Sequence, residues 1–297
     1  MVLDKSLRAL FQRDGVSIAA GTTNVIGAKI IESNGFDSIW VSSLEASTSR
    51  GVPDASIITM SDMLKIASDI SNSVDIPVIA DCDTGYGDFK NVYYIVQQFE
   101  KNGVSAISIE DKMYPKLNSL VDEKNTLISK EDFVDKIVAA KEAQQTKDFV
   151  FIARIEAFNA KAGLEVALER ADCYTSAGAD ALIVHSVSKE LDEIIEFCKS
   201  FTKNIPIIII PTTYNKITVG DIEKLRRVKM VIYANQLFRA AVASMDKAAK
   251  LIKKAGTTGV IEGEIATLED LFKYQELQQF KERNNRIVRK RKSIFKT

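Results

Sequence analysis

The sequence predicts an α/β protein of the (β/α)8 TIM-type barrel class, and three observations carry that expectation. Eight short runs of apolar and β-branched residues recur along the 297 residues, each separated from the next by a segment of helical spacing. The runs are apolar at nearly every position, as parallel strands covered on both faces must be. The first run is not followed by the Gly-rich turn that an open nucleotide-binding sheet would carry.

In chain order the strand candidates are SIAAG (17–21), SIWVSS (38–43), PVIADCD (77–83), AISIED (106–111), FVFIARIEA (149–157), ALIVHS (181–186), PIIIIP (206–211) and MVIYAN (230–235). Helical periodicity fills Ser61 to Ser71, Val92 to Glu100, Lys130 to Ala143, Leu164 to Ser176 and Leu191 to Phe201. NGFDSIWV (34–41), NGVSAISI (102–109) and AGADALIV (177–184) repeat one piece of punctuation, a glycine where a left-handed helix end is needed and then a polar turn into a buried run. Eight βα units of about 30 residues each close a barrel. The barrel is expected over 1–262. Residues 263–297 are expected as an extension: one amphipathic helix from Thr267 to about Lys292 through Leu268, Leu271, Phe272, Leu277 and Phe280, then a basic, solvated tail. The apolar face of that helix needs a partner, in the same barrel or in a neighbouring subunit.

Composition narrows the function classes. Forty basic residues balance forty acidic ones, so no net charge draws the protein to nucleic acid or to an anionic membrane. Cys82, Cys173 and Cys198 form no CxxC pair, and an odd number suits a reducing compartment. The opening MVLDKSLRAL has no signal-peptide pattern and no run of about 18 apolar residues occurs, so a cytoplasmic protein is expected.

Barrel chemistry sits where the strands end, and polar residues collect there. Asp81 and Asp83, two apart on one predicted strand, face the same side, with Glu110 ending the next strand. Three carboxylates repel unless a cation joins them, and an oxygen-only set suits magnesium, or manganese in its stead. The competing explanation is helix capping, or ion pairs with Arg154 and Lys112. Arg154 and His185, the only histidine, end adjacent strands and together could clamp a dianion. Trp40 and the small polar residues after it could offer backbone N–H groups to a carboxylate, although a lone tryptophan also serves as core packing. The segment Glu110 to Leu120 lacks periodicity and contains Lys116, Asn118 and Ser119; a loop of that length is either a surface loop or a lid that excludes water. Asp54, in GVPD, reads by default as a helix cap before Ile58.

The motifs EDKMYPKLNSL (110–120), VIADCDTGYGD (78–88), IARIEAF (152–158), GADALIVHS (178–186), PTTY (211–214) and GVPD (51–54) together resemble the phosphoenolpyruvate mutase branch of the isocitrate lyase superfamily, in order from about Val16 to Ala241. The resemblance implies magnesium-dependent interconversion of phosphoenolpyruvate and phosphonopyruvate. It implies metal ligation by Asp81, with Asp83 and Glu110 acting through waters, and a substrate carboxylate held by the Trp40, Ser42, Ser43 and Leu44 segment. Arg154, His185, Asn118 and Ser119 would hold the phosphoryl group, Lys116 would belong to the gating loop, and Asp54 would lie near the transferring phosphorus. It further implies a homodimer or homotetramer built by exchange of the C-terminal helix, and a phosphonopyruvate decarboxylase that draws off product. One departure is that Ser42-Ser43 stands where the family usually has Ser-Gly. The nearest rival is phosphonopyruvate hydrolase, which resembles the chain but tends to carry threonine where Asn118 stands. A C–C lyase lacks support because EDKMYPK replaces the lyases' KKCGH loop, and a non-catalytic barrel would not be expected to keep the whole charged rim.

Overall fold

The computed structural model describes residues 6–121 and 124–295. Eight parallel strands pair in sequence order and close on themselves: β1 (Ser17–Gly21), β2 (Ser38–Val41), β3 (Val78–Asp81), β4 (Ala106–Glu110), β5 (Val150–Ile155), β6 (Ala181–Val184), β7 (Ile207–Ile209) and β8 (Val228–Tyr233). The helices are α1 (Leu7–Gln12), α2 (Val25–Ser33), α3 (Ser43–Ser49), α4 (Met60–Ser71), α5 (Phe89–Lys101), α6 (Lys130–Ala143), α7 (Gly163–Ser176), α8 (Asp192–Ser200), α9 (Val219–Glu223), α10 (Gln236–Ala255), α11 (Leu268–Tyr274) and α12 (Leu277–Ile294). The chain falls into two compact units, Met1–Arg239 and Ala240–Thr297, so the division lies within α10 rather than after residue 262.

Period two along the strands sorts side chains into two cores. Residues such as Ile39, Ala80, Ile107 and Phe151 point outward and pack with helix residues including Met63, Phe99 and Phe133. Ala19, Trp40, Ile79, Val150, Ile183 and Met230 point inward, in one cluster with Leu7, Leu10 and Phe11 of α1. The short first helix thus plugs the barrel interior against the inward side chains. The same inward register, continued to the strand ends, carries Trp40, Asp81, Glu110, Arg154 and His185 to one mouth. Gly35, Gly103 and Gly178 have φ of 78°, 80° and 105°, the left-handed angles that the repeated strand entries require.

Three expectations are corrected. Every predicted strand that ended on polar residues stops earlier: β2 ends at Val41, because Ser42 already caps α3 through its hydroxyl, and β3 ends at Asp81. Asp83 therefore is not a strand residue; it lies in the following turn with φ 50°. The single C-terminal helix is two helices, α11 and α12, broken at Glu276, whose φ is 53°. Within the second unit, Met245, Leu268, Phe280, Ile287 and Phe295 are exposed. Among the described residues no helix is long and apolar enough to cross a membrane.

The end of β1 leaves no room for a side chain. A Cβ on Gly21 would lie 2.0 Å from the backbone carbonyl oxygen of Ala234 and 2.9 Å from Oε1 of Glu45. Glu45, in the first turn of α3, is only 1 % exposed, and its Oε1 has no hydrogen-bond partner among the described residues. Burial pushes its carboxyl up to about 8 from 4.5.

Two outcomes follow from this corner. Gly21→Ala should lower stability by about 1–3 kcal/mol, because backbone cannot yield to the new methyl, while Gly263→Ala, which meets nothing within 4 Å, should leave the thermal midpoint unchanged. Because the folded-state acid of Glu45 is weaker than the unfolded one, its contribution opposes folding progressively as pH rises from 4.5 to about 8, by up to about 5 kcal/mol. Glu45→Gln should therefore match the parent's thermal midpoint at a pH well below 4.5 and exceed it at pH 8.5; equal midpoints at both pH values would refute the neutral-acid assignment.

Candidate active site

Every site residue named from the sequence except Asp83 lines one cavity at the C-terminal mouth. The cavity volume is about 60 Å³. Ser186, Thr212, Thr213 and Asn235, from the ends of the last three strands, complete its wall.

The loop after β4 lies over this cavity. Its base is closed by an antiparallel bridge between Lys112 and Leu127, and the Met113 amide donates to the carbonyl of Thr126 at 2.8 Å. Its tip rests on the segment between α3 and α4: the Lys116 amide donates to Ser56 Oγ (3.0 Å), the Asn118 amide to the Asp54 carbonyl (3.0 Å), and Asn118 Nδ2 to Asp54 Oδ2 (2.6 Å). Lys116 Nζ joins Asp54 (2.8 Å) to Asp83 (2.9 Å), all three side chains about 5 % exposed. The segment is packed over the cavity on the stretch between α3 and α4, not a free surface loop. Asp54 is not a helix cap: Thr59 and Asp62 form the capping box of α4.

This ion cluster is consistent with its burial. Removing the Lys116 ammonium from water would by itself lower its pKa, but Asp83, Glu110, Asp54 and Asp81 outweigh that cost and hold it well above the usual lysine range. For Asp83 burial wins over Lys116 and the carboxyl is raised. Neither aspartate of the β3 end pairs with Arg154 or Lys112. Asp81 Oδ2 instead accepts from Ser43 Oγ (2.8 Å) and more distantly from the Ser43 amide (3.4 Å). Ser43 is the first residue of α3, with ordinary helical backbone, so the serine at this position meets no conformation reserved for glycine.

On the opposite wall, Glu156 is a hub that the sequence reading left outside the site. Its Oε1 accepts from Arg154 Nε (2.5 Å) and lies 2.8 Å from His185 Nδ1, while its Oε2 accepts from Ser119 Oγ (3.0 Å) and Asn159 Nδ2 (2.6 Å). Burial would raise this carboxyl, yet the Arg154 guanidinium and the hydrogen bond from Asn159 overcome it and hold it far below the usual range. The spacing to Arg154 was the available signal for Glu156; nothing in the sequence marks Asn159. Behind them Asp111 accepts the Glu156 amide (2.9 Å) and pairs with Arg170 (2.9 Å) and Tyr174 (2.8 Å), anchoring the strand end.

The carboxylates fit a hard cation held by few protein atoms. Glu110 Oε1 is buried with no hydrogen-bond partner among the described residues, Arg154 stands 3.5 Å from Oε2, and burial pushes the Glu110 carboxyl up to about 8. A group so placed favours a proton or a metal ion. Among the described residues, no three acidic, histidine or cysteine groups gather closely enough to enclose an ion by themselves. The expected set of Asp81, Asp83 and Glu110 is thus not gathered as a ready metal cage, and Asp83 is paired with Lys116 instead.

Residues 7–253 match the family model described as phosphoenolpyruvate phosphomutase. The phosphonopyruvate hydrolase of Variovorax sp. (strain Pal2) is 40% identical over 276 residues, 93% of this chain and 95% of that protein. The crystal structure of phosphoenolpyruvate phosphomutase from Streptomyces platensis subsp. rosaceus superimposes with a TM-score of 0.93 at 41% identity, covering 95% of this chain and 98% of that one. A phosphonopyruvate hydrolase in complex with oxalate and magnesium gives 0.91 at 38% identity, covering 97% of this chain and 100% of that chain. With its closed barrel and this extent of similarity, the chain belongs to the phosphoenolpyruvate phosphomutase family.

Proposed function

We propose that the protein is a magnesium-dependent phosphoenolpyruvate mutase, interconverting phosphoenolpyruvate and phosphonopyruvate. The observation that carries this reading is the contact of Asn118 Nδ2 with Asp54 Oδ2 at 2.6 Å, which sets the lid amide beside the acid at the cavity wall. Phosphonopyruvate hydrolase is the second reading, favoured by relatives of that activity at comparable identity.

In the proposed reaction a phosphoryl group leaves the enol oxygen of phosphoenolpyruvate and bonds to C3, while the C–O–P bond breaks and the C2 carbonyl forms. Little covalent help is needed; the demand is for a fixed clamp on dispersed negative charge. Arg154, His185, Asn118 and Ser119 bind the phosphoryl oxygens, and the Trp40, Ser42, Ser43 and Leu44 segment holds the carboxylate. Asp81, Asp83 and Glu110 would hold magnesium, which when bound supplies charge stabilisation to the enolate oxygen. Manganese would serve in the same oxygen set. Lys116 ties the closed lid to Asp54 and Asp83, and Asp54 orients the lid next to the transferring group. The closed lid keeps out water, to which a loosely held phosphoryl group would otherwise be lost.

The same reading supplies a place for the apolar residues of the C-terminal unit: exchange of that helical segment between subunits in a homodimer or homotetramer. A phosphonopyruvate decarboxylase is the partner activity expected to consume the product. A cytoplasmic location, without nucleic acid or membrane partners, accords with a small-molecule reaction of this kind.

Phosphorus NMR of the purified protein with magnesium and phosphonopyruvate should show phosphoenolpyruvate forming; inorganic phosphate and pyruvate instead would assign the hydrolase. Asn118→Ala should lose about 10²-fold or more in kcat while keeping the far-ultraviolet circular dichroism of the parent, since one positioned donor to developing charge is worth about that much. Unchanged turnover would remove the lid amide from the mechanism.

A further inference from the structure

His185 is held from one side only. Three groups reach its Nδ1, each at 2.8 Å: Arg154 Nη2, Asn159 Nδ2 and Glu156 Oε1. Nε2 has no hydrogen-bond partner among the described residues, and the residue lines the cavity. Which nitrogen carries the proton therefore decides what the ring can offer a ligand.

The neighbours settle the choice, and Asn159 is the informative one. Its Oδ1 accepts the amide of Val187 at 2.8 Å. A backbone N–H can only donate, so the side-chain amide cannot be turned the other way, and Nδ2 must face the histidine. The two Nδ2 hydrogens then have two destinations, Glu156 Oε2 at 2.6 Å and His185 Nδ1. Arg154 is likewise a donor in every state. A proton on Nδ1 would confront two N–H donors, one of them on a full cation, to satisfy one carboxylate oxygen. That oxygen already accepts from Arg154 Nε at 2.5 Å. A bare Nδ1 shares its one lone pair between two donors and leaves a single unfavourable contact, with an oxygen already neutralised by the arginine. Double protonation would add a second buried cation against Arg154, and burial lowers the pKa of the ring.

We propose that Asn159, together with Arg154, holds His185 as the neutral Nε2–H tautomer, so that the ring presents a hydrogen-bond donor, and not a base, to the bound phosphoryl group. The use made of that donor rests on the function proposed above; the tautomer does not. Asn159 is thus a positioning residue, two bonds of contact away from the ligand, and Glu156 is its anchor. The arrangement also links the lid to the clamp, because Ser119 Oγ shares Glu156 Oε2 with Asn159.

The chain contains one histidine, so histidine labelled with nitrogen-15 gives a spectrum of His185 alone. Long-range proton–nitrogen correlation on the full-length protein at neutral pH should show a bare Nδ1 and a protonated Nε2. A protonated Nδ1, alone or with Nε2, would overturn the proposal. Asn159→Leu should move the two nitrogen shifts toward each other as the Nδ1–H form gains population, and should lower kcat for phosphonopyruvate by about 10- to 100-fold, the usual cost of losing an orienting partner. An unchanged spectrum in Asn159→Leu would strip Asn159 of the role. If the parent shows the expected tautomer yet turns over neither phosphonopyruvate nor phosphoenolpyruvate, the functional reading fails and the tautomer assignment stands; should the variant not fold, the parent spectrum still decides.

Discussion

The cost of burying charge governs this molecule. At one mouth of the barrel, Asp54, Asp83, Glu110 and Glu156 are withdrawn from water along with Lys116 and Arg154. An isolated ion there would be unfavourable by several kcal/mol, so each must have a counter-charge or a hydrogen-bonding group aimed at it. Lys116 supplies that for two aspartates and Arg154 for two glutamates. The loop after β4 is held over the cavity because its lysine belongs to the cluster, and the cluster is tolerated because the loop brings the lysine.

The two walls of the cavity solve the problem differently. On the Arg154 side every oxygen of Glu156 has partners, and its carboxylate is held ionised. On the Glu110 side an oxygen is left without one, and the carboxyl drifts toward its protonated form. A fully satisfied network is rigid and suits the binding of an anion of fixed shape. An under-satisfied carboxylate suits a cation that must be exchanged or shared with substrate. The two walls therefore differ in electrostatic character, one satisfied within the protein and the other open to a further positive partner.

Packing is what allows this concentration of charge. Ala19, Ile79, Val150, Ile183 and Met230 fill the interior below the mouth, with Leu7, Leu10 and Phe11 of α1 among them. The hydrogen bonds of Asp111 to Arg170, Tyr174 and the Glu156 amide fix the end of β5 from outside. The polar rim therefore stands on a frame whose stability does not come from the rim itself, a separation that leaves the loops free to carry function.

Much of this was legible in the residue order. Period-two alternation and the glycine-punctuated strand entries determined the barrel, and the same alternation, extended to the strand ends, brought Trp40, Asp81, Glu110, Arg154 and His185 to one side, because a strand leaves its side chains no other choice. The long EDKMYPKLNSL motif carried the family. What only the tertiary structure decided concerns residues whose partners lie far away in sequence. Asp83 left the strand, since a positive φ in a turn is not encoded by an aspartate's identity. Asp54 met Asn118 across 64 positions, and Asn159 met His185 across 26, in contacts that no local spacing announces. The break at Glu276 was hidden because both flanking segments share helical periodicity. Local pattern sets which face a side chain takes; the charge and hydrogen-bonding state of that side chain follow from neighbours that only folding supplies.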